Sequence, residues 1–268
     1  MRYGLLADIH ANLDALRAAV VVLRREGVDA CLCAGDLVGY GPFPNECVEV
    51  VADLGAACVA GNHDLMALGL LPDTNCIALA RETMKWTRSV LRDDTRRYLE
   101  TLPLRLQPEP STVIAHGSLD DPQSYIVRSR QAIEALDRLG TLYPAADILV
   151  LGHTHAAAVV GRQTGAHTAR GAVSLAASER YLLNPGSIGQ SREREAVARF
   201  AILDLEQRSA TFFAIPYDLD RCRRALRQRG LPADACHLRP HRLRFPSTAL
   251  GSFARAAVRA LPRRRPRS

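Results

Sequence analysis

Arg2-Tyr3-Gly4-Leu5-Leu6-Ala7-Asp8-Ile9-His10 is the stretch on which the fold turns. A short apolar run stops abruptly at a carboxylate and an imidazole two residues apart. The run Arg2–Ala7 reads as a buried strand, and Asp8 and His10 as polar groups set at its carboxyl end. Leu13–Leu23 then carries apolar residues at helical spacing, and Gly27 stops it. The unit repeats. Ala30–Ala34 is a second strand, ending in Gly35-Asp36; Pro44–Leu54 is a helix closed by Gly55; Ala56–Ala60 is a third strand, ending in Gly61-Asn62-His63-Asp64. Strands alternating with helices at this spacing predict a parallel sheet of βαβ units.

Residues 65–106 change character. They hold helical stretches and the single tryptophan, Trp86, and predict a helical insert. Strands resume at Thr112–Ala115 and Ile148–Leu151, with a helix at Gln131–Leu139 between them. From Ala157 to Ile215 the pattern is strand-rich: Ala157–Gly161, Ala172–Leu175, Arg180–Leu183, Arg199–Leu205 and Ala210–Ile215. Asp218–Gly230 reads as a capped, Arg-rich helix with apolar positions Leu219, Cys222 and Leu226. Pro232, Pro240, Pro246 and Pro262 follow, then Arg263-Arg264-Arg265. The expected organisation is one catalytic domain over residues 1–217 and an Arg-rich extension over 218–268, with Leu261–Ser268 solvated and disordered.

The 268 residues suffice for one full core. Hydrophobic residues at 47% and charged residues at 24% fit a soluble globular chain, and no apolar run is long enough for a bilayer. The N-terminus reads as a strand and not as a secretory signal. Seven cysteines without paired spacing read as reduced core residues; Cys31 and Cys33 alternate along one strand and should share a face. These features predict a cytoplasmic protein without a membrane partner. The net charge of +7 is unevenly distributed. Residues 218–268 hold fourteen Arg against three Asp, so the rest of the chain is mildly acidic.

Five clusters share one design, each a strand followed at once by metal-type ligands: Asp8-Ile9-His10, Gly35-Asp36, Gly61-Asn62-His63-Asp64, His116-Gly117 and Gly152-His153-Thr154-His155. Ligands bind beyond the carboxyl ends of strands in open α/β sheets. Five strand ends would therefore bring Asp8, His10, Asp36, Asn62, His116, His153 and His155 to one rim. Seven mixed ligands are too many for one tetrahedral zinc. They suit two divalent ions sharing a carboxylate, with manganese first and iron, nickel or zinc as the other choices. Gly35, Gly61, Gly117 and Gly152 would let the backbone turn tightly beneath them.

In order and spacing, these motifs resemble the calcineurin-like metallophosphoesterase superfamily. Gly35–Pro42, Pro44-Asn45-Glu46-Cys47 and Asn184-Pro185-Gly186-Ser187-Ile188-Gly189-Gln190 resemble its small bacterial and archaeal phosphodiesterase-type branch. The resemblance implies a four-layer αββα sandwich of two mostly mixed sheets with the dimetal site at its rim. It also implies a hydrolase acting on a phosphodiester or phosphomonoester through a metal-bridging hydroxide. Asp8, His10, Asp36 and His155 would hold one metal; Asp36, Asn62, His116 and His153 would hold the other. His63 would face the leaving group. Asp64 would either cap a helix or orient His63.

There are two departures from the family pattern. Gly39-Tyr40-Gly41 stands where the protein phosphatases and symmetric diadenosine tetraphosphate hydrolases of the superfamily carry Asp-Arg-Gly. The Arg that grips phosphate in those relatives is absent there, which argues against those two substrates; an Arg from elsewhere could replace it. Ser118–Pro122 also lacks the Pro-Arg expected of the branch. Two rival readings stand beside the enzyme: a catalytically weak metal-binding scaffold, and a nuclease using the basic C-terminus to hold nucleic acid. His167, His237 and His241 lie outside every motif and read as ordinary surface or core residues.

Overall fold

The computed structural model describes residues 1–239; Pro240, Pro246, Pro262, His241 and the basic stretch Leu261–Ser268 lie outside the described residues. Within them the strands are β1 Arg2–Leu6, β2 Ala30–Cys33, β3 Ala57–Cys58, β4 Arg105–Glu109, β5 Thr112–Ala115, β6 Ile148–Val150, β7 Ala158–Gly161, β8 Gly165–His167, β9 Gly171–Ser174, β10 Tyr181–Asn184, β11 Ala198–Asp204 and β12 Ser209–Ile215. The helices are α1 Leu13–Glu26, α2 Pro44–Asp53, α3 Asn62–Ala67, α4 Ala78–Val90, α5 Asp93–Glu100, α6 Ser129–Leu142 and α7 Leu219–Gln228.

Two six-stranded sheets form, in the orders β3-β2-β1-β11-β12-β9 and β4-β5-β6-β10-β7-β8. In the first, β1, β2 and β3 run parallel; in the second, β5, β6 and β10 do. Antiparallel strands complete both sheets, so each is mixed. The period of two along each strand assigns its side chains to layers. Cys31 and Cys33 point together into the core beneath α1 and α2, while Leu32 between them joins Tyr3, Leu5, Ile148 and Leu183 in the core between the sheets. A third core lies between α6 and the second sheet, around Leu136, Leu139 and Leu149. The result is the expected αββα sandwich. Each fully buried leucine in these layers contributes roughly 1.5–3 kcal/mol.

Local signals explain the ends of α1. The Asn12 side chain accepts a hydrogen bond from the Ala15 amide, and Gly27 closes the helix in the left-handed region at φ 65°. Two strands carry little sequence signal. β4 contains Pro108, which reads against a strand, yet it is tolerated because β4 is the edge of its sheet. β8 is a three-residue hairpin partner of β7. The helical insert therefore gives way to β4 at Arg105.

Helix α7 buries Cys222, Ala225 and Leu226. Cys222 and Leu226 form a cluster with Leu231, Ala235 and Cys236 that also takes in Ala80 of α4 and Tyr40. Trp86 packs on its margin, half-buried. The extension thus reaches the loops at the rim. All seven cysteines are free thiols. No helix among the described residues is long and apolar enough to cross a membrane.

Candidate dimetal site

Parallel strands from both sheets end at the same rim. β1 delivers Asp8 and His10, β2 Asp36, β3 Asn62 and His63, β5 His116, and β6 His153 and His155. The backbone there is bent out of the ordinary. Asp8, His10, Asp36, His153 and His155 all have φ between 47° and 67°, as do the adjoining Ala11 and Tyr40. A non-glycine residue in this region costs of order 1–2 kcal/mol. That cost, repeated at five of the proposed ligands, turns side chains inward at strand ends where a relaxed chain would carry them past the rim.

The five carboxylate and imidazole groups taken with His116 and His63 fall into three overlapping sets: Asp8, His10 and His155; His10, Asp36 and His63; and Asp36, His116 and His153. The ligand atoms within each set lie within 4.8 Å of one another, and all these residues are buried. Asn62 joins the third set, its Oδ1 being 3.0 Å from His116 Nε2.

Hydrogen bonding to backbone carbonyls fixes the tautomers, because a carbonyl only accepts. Nδ1 of His10 donates to Val38 (3.2 Å), Nδ1 of His116 to Ala34 (2.6 Å) and Nδ1 of His155 to Gln190 (2.9 Å). Nε2 is left facing the site in all three. His153 is reversed: its Nε2 donates to the Gln123 carbonyl at 3.1 Å, leaving Nδ1. His10 Nε2 and His155 Nε2 stand 3.1 Å apart, lone pair toward lone pair. Asp36 Oδ2 lies 3.6 Å from His10 Nε2 and 3.3 Å from His116 Nε2, and Asp8 Oδ1 lies 3.5 Å from His155 Nε2. Ligands at about 2.0–2.2 Å from a shared ion stand at such separations from each other. The donor set fits two divalent cations with Asp36 between them.

Protonation follows the same pattern. Burial pushes His10, His153 and His155 toward the neutral form, His153 down to about 3. Burial also opposes charge on His116, but the Asp36 carboxylate outweighs it and raises that imidazole to about 9. In the metal-free protein a proton on His116 stands where a cation would. Burial likewise works against charge on Asp36, yet the neighbouring His116, His63 and His10 hold its carboxyl well below the usual range.

Asp64 caps α3 and positions the loop after β2, so the bonds it makes are those of the helix-cap reading. Its Oδ2 accepts from the amides of Asp36 (2.9 Å) and Gly61 (2.9 Å), and its Oδ1 from Leu37 (2.9 Å) and Val38 (3.2 Å). None of these bonds goes to the His63 imidazole, whose Nδ1 is buried without a hydrogen-bond partner. In return, Asp36 Oδ1 accepts from the His63 amide at 2.7 Å, so the two loops lock each other. Gly61 makes this possible: a Cβ there would lie 2.2 Å from Asp36 Oδ1. Burial, then the Asp36 charge, pushes Asp64 up to about 7, while the amides of Gly61 and Val38 favour its carboxylate. Asp64→Asn would set an NH₂ against two amide donors. It should destabilise the fold by about 2–4 kcal/mol, read by urea unfolding of metal-free protein. A change within about 0.5 kcal/mol would mean the loops hold without it.

His63 lies between Tyr40 and His10, with ring centroids 4.7 and 4.8 Å away. Burial lowers its pKa, and Asp36 opposes that shift. Of the remaining histidines, His167 pairs with Thr164 at 2.6 Å, and His237 is buried with its Nε2 on the Glu193 carbonyl at 3.0 Å. Neither belongs to any of the three sets. Two neighbours of the ligands carried no motif signal: Tyr125, whose ring lies 3.9 Å from that of His153, and Arg192, which hydrogen-bonds Gln190 at the end of the Asn184–Gln190 motif. Arg192 follows β10, the sixth parallel strand end. Applying the strand-end rule to β10 would have found it, had its parallel pairing with β6 been visible.

A four-layer sandwich that gathers Asp, Asn and His at the shared ends of its parallel strands defines a metal-binding α/β class suited to phosphate chemistry. The chain belongs to the calcineurin-like phosphoesterase superfamily, whose domain model matches residues 1–208. Among solved structures it is similar to a metallophosphoesterase from Sphaerobacter thermophilus, at 33% identity and TM-score 0.74 over 88% of this chain and 96% of that one. A Pyrococcus horikoshii protein shares the fold at 21% identity and TM-score 0.72, over 88% of this chain and 96% of that one. An uncharacterised protein of Methanocaldococcus jannaschii is 28% identical over 232 residues, which is 85% of this chain and 93% of the relative.

Proposed function

We propose that the protein hydrolyses a small phosphate ester at a centre of two divalent cations, manganese being the first candidate. The observation that carries this reading is the pair of acceptor sets that meet at Asp36 Oδ2. Asp8, His10, Asp36 and His155 would hold one ion, and Asp36, Asn62, His116 and His153 the other. Two cations held there would bring a water toward a pKa of about 7 and neutralise phosphate charge. The chain's own residues do the rest. Carbonyl bonds keep the imidazoles in the ligating tautomer, which preorganises the site. Asp64 holds the Asp36 loop in its left-handed turn. His63 donates a proton to the departing ester oxygen. Its buried ring is disposed to be neutral until an arriving phosphate anion favours the proton.

Elemental analysis after chelation and reconstitution with manganese tests the centre, with hydrolysis followed on a panel of phosphomonoesters, cyclic nucleotides and other diesters. Two ions per chain and turnover on at least one panel member are expected. Fewer than one ion per chain would favour a scaffold. The loading should also depend on pH in one direction. With His116 raised to about 9, a proton competes for the second set at neutral pH, and it must leave as the ion binds. Apparent affinity should therefore rise up to about tenfold per unit between pH 7 and 9. A flat profile would place the ion away from His116.

A further inference from the structure

We propose that Arg192 is the phosphate clamp of this site and that it makes the protein a phosphomonoesterase, by taking the third non-bridging oxygen of the substrate. The inference rests on the dimetal reading above and goes beyond it in assigning the substrate class.

Gln190 and Arg192 leave the carboxyl end of β10, beside the strand that delivers His153 and His155. Gln190 is fully buried. Its Oε1 accepts from Arg192 Nε at 3.3 Å and Nη2 at 3.2 Å, so one edge of the guanidinium is held as a fork. The side-chain Nε2 of Gln190 donates to the Ala235 carbonyl at 3.2 Å, so the segment after α7 braces this arrangement. The Arg192 charge also acts on Tyr125, whose ring lies 3.9 Å from that of His153, and on His153 itself. The guanidinium therefore reaches across ligands of both acceptor sets.

One contact shows where the group acts. Arg192 Nη2 lies 3.3 Å from His155 Nε2, the atom proposed to take a cation. Were His155 Nε2 to hold a cation, Arg192 Nη2 would give up this contact and its N–H would be available to an anion. The guanidinium and that cation would then stand close together at a half-buried place, an arrangement that would favour an anion between them. Gln190 keeps the guanidinium from swinging away.

The chemistry of phosphate esters then separates the substrate classes. A diester has two non-bridging oxygens, and two cations held by these sets would leave neither for a further cation. A monoester has a third, charged and exposed, and a guanidinium matches it in charge and geometry. In a diester the same place holds an alkoxy group, which is bulky and a poor acceptor.

The test uses metal-loaded wild-type protein and the variants Arg192→Ala, Arg192→Lys and Gln190→Met. Metal content is measured first. Calorimetry then gives affinity for inorganic phosphate and for dimethyl phosphate, and rates are taken on a nitrophenyl monoester and a bis-nitrophenyl diester. Wild type should prefer the monoester. Arg192→Ala should keep its metals, weaken inorganic phosphate by about 10–100-fold, and change dimethyl phosphate and diester turnover less than about threefold. Arg192→Lys should recover part of the loss. Gln190→Met should weaken inorganic phosphate in the wild-type background and add nothing to Arg192→Ala, as a residue acting through Arg192 must. Equal losses on both ester classes, unchanged phosphate affinity, or a wild-type preference for diesters would overturn the clamp and leave the dimetal reading intact. A wild-type protein that loads no metal would overturn both.

Discussion

Asp36→Asn protein, reconstituted with manganese, is expected to hold fewer than one ion per chain and to lose turnover on every phosphate ester tested. Both effects follow from one atom. Asp36 Oδ2 faces His10 Nε2 in one acceptor set and His116 Nε2 in the other, so removing its charge weakens both cation sites at once. An outer-sphere partner of a metal ligand is typically worth about 10–100-fold in affinity, and a shared ligand should exceed that. Asparagine preserves volume and can still accept from the His63 amide, so the loop should survive. A second readout needs no metal. Asp36 is the group that lifts His116 to about 9, so the imidazole should titrate well below that value in the variant. An unchanged His116 titration by NMR would mean that another group holds its proton. Two ions per chain in Asp36→Asn would remove Asp36 as the bridge.

His63→Ala is the second large effect, and its dependence on leaving group is the informative part. The ring is packed between Tyr40 and His10, and Gly39 leaves the room for it: a Cβ at Gly39 would lie 2.4 Å from His63 Nδ1. As the leaving-group acid, His63 is expected to be worth about 10²–10⁴-fold in turnover, with both metals retained. A nitrophenolate departs readily without a proton and an alkoxide does not. The variant should therefore lose more on alkyl esters than on nitrophenyl esters, measured where chemistry limits the rate. Equal losses with metals in place would make His63 a phosphate-positioning residue. Loss of an ion would make it a ligand, as its nearness to His10 and Asp36 permits.

The amino-acid sequence by itself determined the strands that build the site and the residues at their ends. Apolar runs of four to five residues, each stopped by Asp, Asn or His, are legible because strand burial and ligand chemistry are both local in the chain. So were the Gly27 stop of α1, the common face of Cys31 and Cys33, and the Arg-rich helix α7, since each depends on neighbours one to four residues away. The tertiary structure decided what depends on distant partners. Pro108 lies in a strand only because β4 is an edge. Asp64 turned out to be a loop lock because its four amide donors come from residues 36–38 and 61, two separate strand ends. Asp and His tolerate the left-handed region better than most residues, but their presence alone does not place Asp8, His10, Asp36, His153 and His155 there; packing and cross-loop hydrogen bonds hold that backbone against its local cost. Arg192 reaches the site for the same kind of reason. β10 lies beside β6, and Gln190 is braced by Ala235, 45 residues further along the chain. Periodicity reports which face of an element is buried, whereas the approach of two strand ends is fixed only when the sheets pack.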